Sequence, residues 1–216
     1  MAGVDGAFGL FARLSATARG LGAGIEAADS VIADGHKWLN VPYDCGFAFV
    51  PRHEPDARVL RADRRSLPAR GQRRPPQLRR PGPEASRRAR ALAVWATLKA
   101  YGEEGYRAMV ERHLALARRV GEQVQAAPDL ELLAPVKLNV VCFRYRPPGH
   151  PEEDLDELNQ RRGGAILEDG RVYFGTTTYG GRTAFRPAIC NWRTTEEDAD
   201  LIVSVTRELG ARLATG

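Results

Sequence analysis

The segment Asp34-Gly35-His36-Lys37-Trp38-Leu39-Asn40-Val41-Pro42-Tyr43-Asp44-Cys45-Gly46 sets one lysine between two apolar, β-prone runs. Ser30-Val31-Ile32-Ala33 stands before it and Phe47-Ala48-Phe49-Val50 after it. Both runs read as short buried strands. A lysine between buried strands is costly unless it is paired or chemically used. Desolvation favours the neutral amine, a nucleophile able to form a Schiff base. The plainer alternative is a strand-end lysine whose ammonium reaches back to water, and the lysine taken alone favours it.

The surrounding residues shift that balance. Val4-Asp5-Gly6-Ala7-Phe8-Gly9 puts Asp5 at the end of another short apolar strand, 32 residues before Lys37. Glu26-Ala27-Ala28-Asp29-Ser30 leads into the lysine strand, and His36-Lys37-Trp38 is followed by Asp44-Cys45-Gly46. These three separated elements together resemble the group II pyridoxal-phosphate (PLP) decarboxylases, the family of the aromatic-L-amino-acid, histidine and glutamate decarboxylases. The resemblance implies a PLP-dependent transferase fold of type I, an α/β class, with a small C-terminal α+β domain. It places the family's aspartate on Asp5, the alanine under the cofactor ring on Ala7, and the Schiff-base lysine on Lys37. The implied role of Asp5 is to stand beside the pyridine nitrogen, where a carboxylate raises the nitrogen's pKa by charge attraction. His36 either helps position the phosphate or the lysine, or is a structural histidine.

Bulk properties agree with a globular chain. The 216 residues are 43% hydrophobic and 27% charged. No apolar run reaches the roughly 18 residues of a spanning helix, and no signal peptide opens the sequence, so neither a membrane nor secretion is expected. Cys45, Cys142 and Cys190 sit in apolar, strand-like settings without metal-ligand spacing, which reads as reduced core thiols in a cytoplasmic protein and no metal. The net charge of +5 is concentrated: eight arginines and a single acid, Asp63, lie between Arg61 and Arg80. Without a repeat, zinc finger or aromatic-and-basic pattern, specific nucleic-acid binding is not expected.

The chain divides into four stretches. Residues 1–51 read as strand, helix or loop, strand, turn, strand: the C-terminal part of a PLP-binding large domain. The resemblance implies that the phosphate-binding turn and the ring-stacking histidine lie outside this chain, so that the chain alone is expected not to decarboxylate. Residues 52–82 are an arginine- and proline-rich stretch, read either as a divergent solvated loop or as a segment translated out of frame. Family members carry a mobile loop there, in several cases with a tyrosine that returns a proton; this sequence has no tyrosine between Tyr43 and Tyr101.

Residues 83–127 read as two linking helices, one over Ala91–Lys99 with a stop at Gly102, the next over Glu103–Ala126. Residues 128–216 read as the small domain. Its expected strands are Leu130–Leu133, Leu138–Tyr145, Arg171–Gly175 and Thr183–Cys190. An acidic helix is expected over Pro151–Arg162. A last helix starts at Thr194-Thr195-Glu196, with a threonine cap and a stripe of Ile202, Val205, Leu209 and Leu213. Related enzymes use an arginine on the strand matching Phe185-Arg186-Pro187 to meet a substrate carboxylate, which assigns that part to Arg186; a structural arginine at a domain interface is the alternative.

The function implied by the resemblance is decarboxylation of an L-amino acid, aromatic by likeness to that branch, in a homodimer. Two alternatives stand beside it. One is a PLP-dependent aminotransferase or other lyase on the same fold. The other is a non-catalytic remnant that associates with a full-length partner.

Overall fold

The computed structural model describes residues 2–50 and 88–214. The arginine-rich stretch 52–82 and the side chain of Leu213 fall outside the described residues. Two sheets organise the rest.

The first sheet has three strands, β1 (Gly3–Asp5), β2 (Ser30–Asp34) and β3 (Gly46–Phe49), in that spatial order. β1 and β2 run parallel, with Val4 beside Val31 and Asp5 beside Ile32. Three short 3-10 turns, Gly9–Leu14, Arg19–Gly22 and Ile25–Ala27, make the crossover between them. β3 returns antiparallel to β2. The expected strands are therefore present, but the expectation that they are buried is wrong. Ile32, Phe49 and Val50 are half or more exposed, at 51%, 50% and 70%. The register puts Ile32 on one face of the sheet and Phe49 on the other, so apolar surface is open on both. An apolar run reports a tendency to be covered, not the presence of a cover.

The helix α1 (Arg90–Ala126) leads from this sheet to the second one. It is two helices joined at Gly102, whose φ of 62° and ψ of −174° break the helical path where the sequence predicts a stop. Beyond the break, Tyr106, Val110, Leu114, Ala117, Val120 and Val124 are buried along one stripe.

The second sheet is wholly antiparallel and consists of β4 (Leu130–Leu132), β5 (Phe143–Tyr145), β6 (Thr176–Tyr179) and β7 (Arg182–Phe185), ordered β4-β5-β7-β6. Helices α2 (Leu155–Asp169) and α3 (Glu196–Ala214) pack with the end of α1 around one core. Phe143, Phe174 and Phe185 meet there with ring centroids 5.5–6.3 Å apart. Thr195 caps α3: its Oγ1 accepts from the Asp198 amide at 3.3 Å, while Asp198 accepts from the Thr195 amide at 2.9 Å. Arg119 of α1 grips Asp200 of α3 with two hydrogen bonds, and Gln123 adds a third, which holds the Asp200 carboxyl down to about 2.

Three expectations shift here. The strand expected at Arg171–Gly175 lies one step later, at Thr176–Tyr179, because Gly180-Gly181 closes a two-residue hairpin to β7 with both φ values positive, at 56° and 78°. Val172 and Phe174 alternate inward without joining a ladder. The strands expected over 138–145 and 183–190 shorten to β5 and β7, since beyond their ends the two segments pair through an isolated bridge of Val140 and Ala188 rather than a continued ladder. The acidic helix begins as a 3-10 turn and runs on to Asp169, where Gly170, at φ 74°, donates back to Ile166.

Candidate active site

Asp5 ends β1 and Lys37 follows the end of β2, so both stand beyond the carboxyl ends of adjacent parallel strands. That edge is where open α/β sheets bind ligands. The Asp5 carboxylate is exposed and accepts one hydrogen bond, from the Ala7 amide at 3.0 Å. Among the described residues it has no ion pair. Gly6 allows this tight exit: a Cβ there would lie 2.9 Å from the Ile32 carbonyl, to which the Gly6 amide donates at 2.7 Å. A cavity of about 350 Å³ opens beside Asp5, walled by Val4, Leu10, Leu21, Ile25 and Leu138; Lys37 and His36 are not among its walls.

The Lys37 turn is held by its apolar neighbours. Trp38, Leu39 and Val41 are buried, while Lys37 and His36 are half-buried. Lys37 Nζ pairs with Asp34 Oδ2 at 2.6 Å and lies 5.4 Å from the centre of the Phe8 ring. Asp34 shares a sheet face with Asp5, since Asp5 pairs with Ile32 and Asp34 lies two residues on. The sequence reading gave Asp34 no role, and no local pattern marks it as the lysine's partner. His36 Nδ1 sits 2.8 Å from the Cys45 carbonyl and 3.1 Å from its amide, so the ring is anchored to the backbone on either tautomer. It also rests against Tyr43, with centroids 4.5 Å apart.

Ala7, Asp5 and the lysine turn thus come together through Phe8. Arg186 does not join them. It is exposed just past β7, and its charge bears on Cys142, whose thiol is pushed up by burial and down by that arginine. Among the described residues no hydrogen bond or ion pair links Arg186 to Asp5, His36 or Lys37. Cys190 is the nearer neighbour: burial raises its thiol, and the Lys37 charge acts against that. Among the described residues no group of three or more His, Cys, Asp or Glu side chains could hold a metal, and no helix is long and apolar enough to cross a membrane.

Residues 3–146 match the family described as "Pyridoxal-dependent decarboxylase conserved domain", about two thirds of the chain. The chain belongs to that family. Among curated members of the decarboxylase family, it is 32% identical over 179 residues to the L-2,4-diaminobutyrate decarboxylase of Acinetobacter baumannii, covering 82% of this chain and 35% of that protein. It is 30% identical over 197 residues to the aromatic-L-amino-acid decarboxylase of Bacillus atrophaeus, covering 90% and 41%. A solved Vibrio parahaemolyticus structure, the glutamate decarboxylase domain of diaminobutyrate-pyruvate transaminase and L-2,4-diaminobutyrate decarboxylase, matches at TM-score 0.77 and 26% identity, covering 97% of this chain and 40% of that one. The fold is also that of mouse CSAD, at TM-score 0.80, 24% identity, and coverage of 96% and 45%. The chain spans between a third and a half of the length of these relatives. Membership of the decarboxylase family carries PLP with it as the family's cofactor, and fold type I as its architecture.

One buried histidine beneath this site escapes sequence reading altogether. His113 of α1 is fully buried; its Nδ1 accepts from Trp38 Nε1 at 2.9 Å, and its Nε2 donates to the Asn191 carbonyl at 2.9 Å. Burial pushes it down to about 4, with the Arg112 charge adding to the fall and the Asn191 hydrogen bond opposing it. The unfolded chain takes up the proton near pH 6.5 while the folded one refuses it, so stability is full above about pH 6.5 and drains as pH falls toward 4. The loss from this one group approaches about 3 kcal/mol. Urea unfolding at pH 7 and pH 4.5 measures it. His113→Gln should flatten that part of the pH dependence, and an unchanged slope would assign the acid sensitivity elsewhere.

Proposed function

We propose that this chain supplies the lysine and the carboxylate of a PLP-dependent decarboxylase that acts on an L-amino acid, aromatic in preference. The observation that carries the reading is the placement of Asp5 and Lys37 beyond neighbouring parallel strand ends, joined through Phe8. The residues fit the cofactor's needs: a primary amine at the strand edge, and a carboxylate with an oxygen left over from its one backbone hydrogen bond. PLP, when bound, draws electrons from the substrate's α-carbon.

Each side chain then has its own part. Lys37 would be the cofactor-binding lysine, and Asp34 holds its ammonium by charge in the protein without cofactor. Asp5 offers its free oxygen to a protonated ring nitrogen and keeps that proton in place. Ala7, small and half-buried on the turn after Asp5, leaves room for a flat ring. His36, fixed to Cys45 through Nδ1, keeps Nε2 as the ring nitrogen that would help position the phosphate or the lysine. Arg186 takes the substrate carboxylate, a part supported by its match to the family's late strand, its exposure and its charge.

The two sheets and the break at Gly102 support a division into a large-domain part (1–51), the stretch 52–82, linking helices (83–127) and a small domain (128–216). Exposed Leu92, Trp95 and Leu98 along the first half of α1 support a homodimer. Three unpaired cysteines support a cytoplasmic setting.

The test uses the protein at its natural length, supplied with PLP. Aromatic L-amino acids should yield carbon dioxide and the amine. Carbon dioxide from L-2,4-diaminobutyrate alone would overturn the aromatic preference. A keto acid without carbon dioxide would favour an aminotransferase.

A further inference from the structure

We infer that His113 is a positioning residue for Lys37, holding the lysine turn against the Asp5 turn through Trp38 and Phe8. The inference rests on the reading of Lys37 as the cofactor-binding lysine. An indole nitrogen can only donate, so the hydrogen bond from Trp38 requires His113 Nδ1 to be bare. The proton must then sit on Nε2, which donates to the Asn191 carbonyl. A single tautomer satisfies all three groups, and the imidazole of α1 is locked between the lysine turn and the chain beyond β7.

The lock is passed outward by ring contacts. The Trp38 ring meets Phe8 at 6.3 Å between centroids with the planes at 74°, an edge-to-face contact. The other end of the path is the Lys37 ammonium, 5.4 Å from the centre of the same Phe8 ring. Phe8 follows Ala7, whose amide is held by Asp5. The path Asn191–His113–Trp38–Phe8 therefore ends at both candidate groups.

Asn40 makes a second tie to the same segment. Its Nδ2 donates to the carbonyls of Trp38 and Cys190 at 3.0 and 2.9 Å, and its Oδ1 accepts from the Trp192 amide at 3.0 Å. Asn40 does so at φ 54°, a left-handed conformation that asparagine tolerates better than most residues. Neither Asn40 nor His113 touches the space beyond the strand ends. Both fix where that space is relative to α1.

Two substitutions separate positioning from mere packing. In His113→Asn the shorter amide puts its oxygen near the place of Nδ1 and still accepts from Trp38. In His113→Gln the longer amide reaches the place of Nε2 and leaves the Trp38 N–H unpaired. The readout is acetylation of Lys37 in the protein without PLP, mapped by peptide and scaled to Lys99 and Lys137, the only other lysines and both exposed. His113→Gln should raise relative labelling of Lys37 about fivefold, the weight of one neutral hydrogen bond. His113→Asn should stay near the parent value. Trp38→Phe, which keeps a ring but no N–H, should behave as His113→Gln does, and it decides the matter if that variant fails to fold. Equal labelling in all variants, or equal rises in His113→Asn and His113→Gln, would overturn the inference and leave His113 a packing residue. Since labelling is read without PLP, it is decided even if Lys37 proves not to bind the cofactor, an outcome that would sink the proposed function separately.

Discussion

In the protein at its natural length and supplied with PLP, Lys37→Ala should lose decarboxylation by at least about a thousandfold while the protein remains folded. The fold should barely respond because Lys37 is half-buried and its one ion pair, to Asp34, is partly open to water. Such pairs contribute about 0–1 kcal/mol. Activity should collapse because Lys37 is the lysine held at the strand ends by Asp34 and Phe8, whereas Lys99 is on the first half of α1 and Lys137 is an exposed residue of the loop after β4. Lys37→Arg sharpens the test. It keeps the positive charge facing Asp34 but removes the primary amine, and should be as inactive as the alanine variant. Substantial turnover in Lys37→Arg would mean that the residue acts only as a charge.

Asp5→Asn should lower turnover by about a hundredfold or more, the scale on which one preorganised electrostatic partner counts in a site. The asparagine oxygen can still accept from the Ala7 amide, so the turn and the stability should be kept. What is lost is the negative charge on an exposed oxygen that has no ion pair among the described residues. The loss should fall on kcat rather than KM, because the charge acts on the chemical step. Turnover equal to that of the parent would reduce Asp5 to a strand-end residue.

What the sequence conveyed was local. The strands around Lys37, the break at Gly102 and the threonine cap at Thr195 each rest on a few adjacent residues, and each stands where the pattern puts it. The hairpin at Gly180-Gly181 is equally local, and Val172 and Phe174, inside the stretch that reads as a strand, form an extended segment feeding the core instead. The burial of β2 and β3 could not be read, since it depends on which elements cover the sheet.

The same limit governs the site. Lys37, Asp5 and Ala7 are carried by a motif, whereas Asp34, Asn40 and His113 act through partners that fold up from elsewhere. His113 is 75 residues from Trp38, and Asn40 is 150 residues from Cys190. A lone histidine in an amphipathic helix gives no warning of such a role. Arg186 shows the reverse: a motif-derived assignment that the described contacts do not tie to the strand-end cluster.

The central claim, that Lys37 is where this protein binds its cofactor, is tested most directly by borohydride reduction in the presence of PLP, followed by peptide mapping. The chain offers three lysines, Lys37, Lys99 and Lys137. The account predicts one pyridoxyl group, on Lys37, absent from Lys37→Ala. A label on Lys99 or Lys137, or spread evenly over all three, would contradict it.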